Sequence, residues 1–126
     1  MKRAVRRALL LSALAAPSAL YALGLGEIRL NSALNQPFDA EIELVSATSE
    51  DLGALQAALA SSDTFQRYGL DRPAYLSDFT FRVSRAGGRD VLRVTSPRPV
   101  TEPFVTLLVE ASWPRGRLLR EYTVLL

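Results

Sequence analysis

The sequence predicts a mainly β domain, an antiparallel immunoglobulin-like sandwich with one inserted helix. Three observations support this prediction: apolar and polar residues alternate in several segments, a glycine pair separates two of them, and one leucine-rich segment has helical spacing. A period of two places alternate side chains on opposite faces of a strand, whereas a period near 3.6 indicates a helix. The same pattern also allows an alternative, an α+β sheet covered by one helix.

The first 22 residues have the organisation of a secretory signal peptide. Four basic residues, the last of them Arg7, precede an apolar run over 8–16, and small residues follow Pro17 up to Ala22. A basic start, a short apolar run and a small-residue cleavage region are typical of export signals. An uncleaved membrane anchor is the alternative, but a bilayer span needs roughly 20 apolar residues. We therefore predict a signal peptide over 1–22 and one exported domain over 23–126.

The charge of the whole chain changes once this leader is set aside. The formal charge is +2, but four of the 15 basic residues and none of the 13 acidic residues lie in the leader. The predicted domain therefore has 11 basic and 13 acidic residues, a net charge of −2. Nucleic-acid-binding domains are usually basic, because they neutralise phosphates. We expect no nucleic acid partner.

The first two predicted strands lie at residues 27–32 and 38–45, with a turn at Asn35-Gln36-Pro37 between them. In the second strand, apolar residues at 38, 40, 42 and 44 alternate with acids at Asp39, Glu41 and Glu43. We predict that the acids form a solvated outer face. A metal or acid–base site is disfavoured, because no histidine accompanies them.

The leucine-rich segment predicts a helix from about residue 50 to residue 60. Thr48 and Ser49 can cap it, acids occupy positions 50 and 51, and leucines at 52, 55 and 59 share one face. A second short helical turn, capped by Ser62 or Asp63, is expected to carry Phe65 and Tyr68 and to end at Gly69.

The remaining segments complete a sandwich of about six strands. Strands at 79–84 and 91–96 are joined by a turn at Gly87 and Gly88. Prolines at 97, 99 and 103 indicate an extended crossing that cannot be a central strand. The apolar segment 104–111 is typical of a strand buried on both faces, and 118–126 is the last strand.

The composition argues against catalysis. The chain has no histidine and no cysteine, so it lacks the most frequent general base, the most frequent metal ligand and a thiol nucleophile. It also lacks a nucleophile-elbow motif around a serine. We predict no enzyme activity, no catalytic residues, no metal site and no cofactor.

The most suggestive surface feature is a tryptophan with arginines near the last turn: Trp113, Arg115, Arg117 and Arg120. Exposed tryptophan and arginine are enriched in interface hot spots, so these four residues are the candidate interaction surface. The tryptophan could also stack on a sugar ring. In the alternative interpretation, Trp113 closes one end of the core and the arginines are solvated.

Five segments of the chain resemble the N-terminal domain of the FimV family. They are residues 23–28 with 32–44, residues 93–96 with 102–104, and residues 113–126, which begin Trp-Pro-Arg-Gly-Arg. These segments occur in the family's order, and together they extend over essentially all of the predicted domain.

The resemblance implies a non-catalytic, periplasmic scaffold or interaction domain of a protein for type IV pilus assembly and twitching motility. Its partners would be envelope proteins of the pilus assembly machinery, and peptidoglycan is a further candidate. FimV proteins are anchored in the inner membrane and continue into a LysM domain and a cytoplasmic region, none of which is found in this sequence. An alternative function is a peptidoglycan- or carbohydrate-binding envelope module. The resemblance transfers no ligand-binding residue and no oligomeric state.

Overall fold

Two antiparallel β-sheets pack face to face in the computed structural model, which describes residues 22–126. The predicted signal peptide therefore lies outside the described residues, except for Ala22. The first sheet has the strand order β1-β2-β5-β4 and the second has the order β3-β6-β7. The strands are β1 (Gly24–Leu30), β2 (Pro37–Val45), β3 (Gln56–Leu59), β4 (Thr80–Ala86), β5 (Arg89–Pro99), β6 (Phe104–Trp113) and β7 (Gly116–Leu125). This mainly β sandwich confirms the predicted fold class.

The core lies between the sheets and is formed by alternate residues of the central strands. Both sheets contribute fully or almost fully buried side chains: Phe38, Ala40, Ile42, Leu92 and Val94 from the first sheet, and Val105, Leu107, Val109, Ala111 and Tyr122 from the second. The alternation predicted for β2 is confirmed, because its even-numbered residues from 38 to 44 are buried. Close packing of the two inner faces excludes water, and this burial is the main source of stability.

The two sheets also contact each other at the sides of the sandwich, where their edge strands lie close together. On one side, β7 lies beside β1, where a bulge between Leu25 and Ile28 interrupts the ladder to β2. The Arg120 guanidinium donates to the Leu25 carbonyl, and the Tyr122 hydroxyl donates to the Gly26 carbonyl at 2.7 Å. These bonds occupy backbone acceptors that the bulge turns away from the sheet.

The predicted helix over 50–60 is wrong in its second half. Helix α1 covers only Ser49–Ala54, and the next residue, Leu55, is already extended, with φ −67° and ψ 127°. Residues 56–59 form β3, which pairs with residues 109–112 of β6. The positions 55, 57 and 59 fit a period of two as well as a helical stripe, and the open edge of β6 offers backbone partners to a strand. Pairing along that edge therefore prevails over helical propensity.

The beginning of α1 is capped as predicted. Thr48 Oγ1 accepts from the Asp51 backbone N–H at 3.1 Å, and the Asp51 carboxylate accepts from the Thr48 backbone N–H at 3.3 Å. This reciprocal arrangement is a capping box. It explains why Asp51, although charged, is buried.

A second short helix follows β3, at the place where a second helical turn was predicted. Helix α2 covers Ser62–Arg67, and its N-cap is Ser61, one residue before the predicted Ser62. Phe65 is buried, Tyr68 is exposed, and Gly69 has a φ of +69° after the helix ends. A five-residue 3-10 helix, Ala74–Asp78, then leads into β4.

Two of the three prolines predicted to lie in an extended crossing, Pro97 and Pro99, form the end of strand β5, and Pro103 lies between β5 and β6. Strand β5 lies between β2 and β4 and extends to Pro99, which is opposite Pro37. The last pair of β5 with β4 joins Thr95 to Thr80. Beyond that pair β5 has only β2 as a neighbour, so prolines at 97 and 99 fit without removing hydrogen bonds to β4.

Strand β6 is buried on both faces at Leu108 but not along its whole length. Leu108 lies on the face opposite to Leu107 and Val109, and all three are fully buried. The predicted burial is wrong at Phe104, which is 61% exposed at the start of the strand. There Phe104 is opposite Leu125, which is 66% exposed.

Candidate functional site

The β6–β7 hairpin carries the four residues of the candidate interaction surface. A turn was predicted over residues 113–117, and the structure narrows it to Pro114 and Arg115, because Trp113 already pairs with Gly116. Along each strand successive side chains alternate between the core face and the outer face of the second sheet. The alternation separates the four candidate residues into different settings.

Trp113 is half-buried and lies against the hairpin rather than standing free in solvent. A Cβ atom placed on Gly116 would be 3.1 Å from Trp113 Cζ2 and 3.5 Å from Cε2. The six-membered ring of the indole therefore rests on the glycine, and a larger residue at 116 would displace it. This contact leaves only the remainder of the ring for a partner or a sugar.

Arg117 lies on the outer face and pairs with Glu110. Its Nε donates to Glu110 Oε1 at 2.8 Å, and its Nη2 donates to the same oxygen. The two residues come from neighbouring strands and form a diagonal pair offset by two residues, because Arg117 is opposite Ser112 and Glu110 is opposite Leu119. This pair places a donor and an acceptor side by side on the sheet surface.

Arg120 lies on the opposite face of β7 from Arg117, because an odd number of residues separates the two along the strand. It donates to the Leu25 carbonyl, and its guanidinium carbon lies 4.9 Å from the centre of the Tyr122 ring. Arg120 therefore joins β7 to β1. Arg115 is exposed in the turn and forms no salt bridge within residues 22–126.

Helix α2 adds residues that the sequence did not indicate as functional. Together with the hairpin it encloses a surface groove of about 500 Å³, which we call the α2 groove. Its lining residues are Ser61, Thr64, Arg67, Glu110, Arg117, Leu118 and Leu119. Sequence reasoning missed the first three because they are distant in the chain from the hairpin, and only tertiary packing brings them to it. For these three residues the local sequence indicated only that a helix begins near Ser61.

A neighbouring depression continues from this groove toward the edge of the sheet. It is lined by Gln56, Ala57, Ala58, Glu110 and Ser112, so Glu110 belongs to both linings. The two depressions cross all three strands of the second sheet. The side chains of Ala57 and Ala58 on β3 are short, so the surface of the sheet is depressed there.

The acids predicted for an outer face lie there, on β2 of the first sheet, and each is paired with an arginine. Arg93 Nη2 and Nε donate to the two carboxylate oxygens of Asp39 at 2.7 and 3.3 Å. Hydrogen bonding to this carboxylate raises the pKa of Arg93. Glu41 is 3.0 Å from Arg29, and Glu43 is 3.9 Å from a further arginine at position 89. The carboxylates are therefore neutralised across the sheet.

The described residues contain no group of three or more acidic side chains placed to hold a metal ion. Among residues 22–126 no helix is both long enough and apolar enough to span a bilayer. The second sheet exposes charged and apolar side chains next to each other.

Comparison with known proteins identifies the family. A family model described as the FimV N-terminal domain, an Ig-like domain, matches residues 23–126. The chain belongs to this family. The match covers both sheets of the FimV N-terminal domain described above and agrees with the resemblance seen in the sequence.

Two curated relatives are similar to the chain, and both are named motility hub protein FimV. One is from Pseudomonas aeruginosa strain PAO1 and the other from strain UCBPP-PA14, and each is 51% identical over 128 residues. The alignments cover 97% of this chain but only 14% of each relative. No solved structure gives a significant match. The chain thus spans about one seventh of the length of the curated relatives that it matches.

Proposed function

We propose that this FimV N-terminal domain is a non-catalytic interaction module of a protein for type IV pilus assembly and twitching motility. It acts in the periplasm after export, and its partners are envelope proteins of the pilus assembly machinery. The observation that carries the proposal is the 51% identity to motility hub proteins over nearly the whole chain. A mainly β sandwich with paired surface charges is consistent with a scaffold, since it presents side chains at fixed positions on a sheet.

A domain exchange tests this function. In the PAO1 relative, the matching N-terminal domain is deleted or replaced by residues 23–126 of this chain, behind the relative's own export signal. We expect the deletion to impair twitching and the exchange to restore it. Loss of twitching with normal protein level would identify the domain as a functional part. Normal twitching in the deletion strain, with no envelope partner in cross-linking, would refute the proposal.

Localisation can be measured separately. Fractionation of cells that express the chain should recover a cleaved product of residues 23–126, or close to it, in the periplasm. Edman sequencing of that product locates the cleavage site. An uncleaved chain in the cytosol would contradict both the signal peptide and the proposed site of action.

A further inference from the structure

We propose that the α2 groove binds an acidic polypeptide segment, with a carboxylate between Arg67 and Arg117 and an adjacent apolar side chain on Leu119. This inference rests on the proposed function as an interaction module, and it adds a surface and a class of partner.

Charge complementarity is the first argument. Two arginines and one glutamate line the groove, so its lining is net positive although the predicted domain has a net charge of −2. Arg67 forms no salt bridge within the described part of the chain, and its Nη2 donates to Thr64 Oγ1 at 3.3 Å. This guanidinium is therefore held in position by a neutral group. It can still pair with a carboxylate from a partner.

Arg117 retains donors for a second acceptor. Its Nε and Nη2 both contact Oε1 of Glu110, which leaves Nη1 outside that pair. A ligand carboxylate at Nη1 would share the guanidinium with Glu110. Arg115, in the adjoining turn, adds a further positive charge and favours approach of an acidic chain.

The lining of the groove combines apolar and polar side chains. Leu118 and Leu119 of β7 are half-buried, whereas Ser61 and Thr64 contribute hydroxyl groups from the α2 side. A volume of about 500 Å³ is within the range of ligand pockets, roughly 300–1,000 Å³. Apolar contacts with flanking charges are the usual composition of a protein interface.

A polypeptide fits this lining better than a glycan does. Sugar rings commonly pack on aromatic side chains, but no aromatic residue is among those that line the α2 groove. Trp113, the nearest candidate in sequence, instead rests on Gly116. The neighbouring depression along β3 would allow an extended peptide to continue beyond Glu110 toward Gln56.

The test is an NMR titration of the purified, ¹⁵N-labelled chain with two blocked hexapeptides. One peptide has alternating glutamate, leucine and alanine, and the other has lysine in place of glutamate. We expect the acidic peptide to shift the backbone amides of residues 64, 67, 118 and 119, and to bind at least several-fold more tightly than the lysine peptide. Raised salt should weaken this binding.

Charge reversal provides the matched comparison. Arg67→Glu should weaken binding of the acidic peptide about tenfold, whereas Arg82→Glu, on the opposite sheet, should leave it unchanged. Arg67→Gln should give an intermediate loss. Arg82 is a suitable control because it is exposed and forms no salt bridge within residues 22–126. Thermal melts of all variants identify any loss caused by unfolding.

Three outcomes would overturn the proposal. They are equal binding of both peptides, equal binding by Arg67→Glu and Arg82→Glu, and amide shifts in the groove produced by chitooligosaccharides but not by peptide. The domain exchange separates this proposal from the proposed function. If the exchanged domain restores twitching and its Arg67→Glu variant does so equally, the function stands and the groove assignment fails. If the unaltered exchange does not restore twitching, the function itself fails.

Discussion

The Tyr122 hydroxyl donates a hydrogen bond to the Gly26 carbonyl at 2.7 Å, joining the last strand to the first. Tyr122 belongs to the core of the second sheet, and Gly26 lies within the β1 bulge of the first. The bond therefore closes one side of the sandwich, at a position where β1 does not continue its ladder to β2. At this contact the Tyr122 ring is buried and its hydroxyl has a hydrogen-bond acceptor.

Replacing Tyr122 with phenylalanine should lower the free energy of unfolding by about 1–2 kcal/mol, since the partly buried Gly26 carbonyl loses its donor. Urea denaturation measures the change. Tyr68→Phe is the matched control, because Tyr68 is 56% exposed, and it should alter stability by less than about 0.5 kcal/mol. Equal values for the two variants would show that the contact between strands contributes little.

Stability should fall at alkaline pH through ionisation of Tyr122. Burial raises the pKa of Tyr122 to about 12, with a smaller opposing effect from Arg120 and a smaller raising effect from Glu27. The folded-state pKa exceeds the ordinary value near 10, so the contribution is complete below pH 10 and is lost between about pH 10 and 12. Tyr122→Phe should flatten this part of the stability profile. Identical profiles for the variant and the unaltered protein would contradict the assignment.

Alanine should have opposite effects at two glycines. At Gly26 a Cβ would lie 3.1 Å from Val45 Cγ2 and 3.3 Å from the Glu43 carbonyl oxygen. Gly26→Ala should therefore lower stability by about 1–3 kcal/mol through overpacking. Gly53 lies in α1 with no atom within 4 Å of its Cβ position, so Gly53→Ala should be neutral or should raise stability by up to about 1 kcal/mol. Chemical denaturation of both variants decides the matter, and a loss at both positions would refute the packing argument.

Trp113→Ala should lower the melting temperature by several degrees, because the indole covers Gly116 and is half-buried. About 1 kcal/mol corresponds to 4–8 °C for a domain of this size. Differential scanning calorimetry measures the shift. An unchanged melting temperature, combined with loss of partner binding, would instead assign Trp113 to the interface.

Purified chain should remain in the supernatant when isolated peptidoglycan sacculi are sedimented. The ring of Trp113 rests on Gly116, and Arg117 and Arg120 are bonded within the domain, so the residues proposed for sugar stacking are largely occupied. A LysM-containing protein serves as the positive control. Co-sedimentation that is lost in Trp113→Ala, without a change in folding, would favour the carbohydrate-binding alternative.

The candidate surface illustrates the limits of sequence reasoning. Spacing in the chain grouped Trp113, Arg117 and Arg120, but strand alternation turns Arg120 away from Arg117 and toward Leu25. Conversely, Arg67 lies 50 residues from Arg117 in the chain and yet lines the same groove. Proximity in sequence predicts proximity in space within one turn, but it does not determine the face or the tertiary neighbours.

Local patterns alone determined the alternating strand at 38–45, the glycine turn at 87–88, the presence of a turn within residues 113–117 and the Thr48 cap of α1. Each depends on neighbours in the chain and on backbone geometry available to few residue types. Tertiary structure decided that residues 56–59 form a strand, that β5 continues through its prolines, and that Tyr122 meets Gly26. In these three cases the local sequence did not specify the outcome. The hydrogen-bond partners of the backbone came from a distant part of the chain.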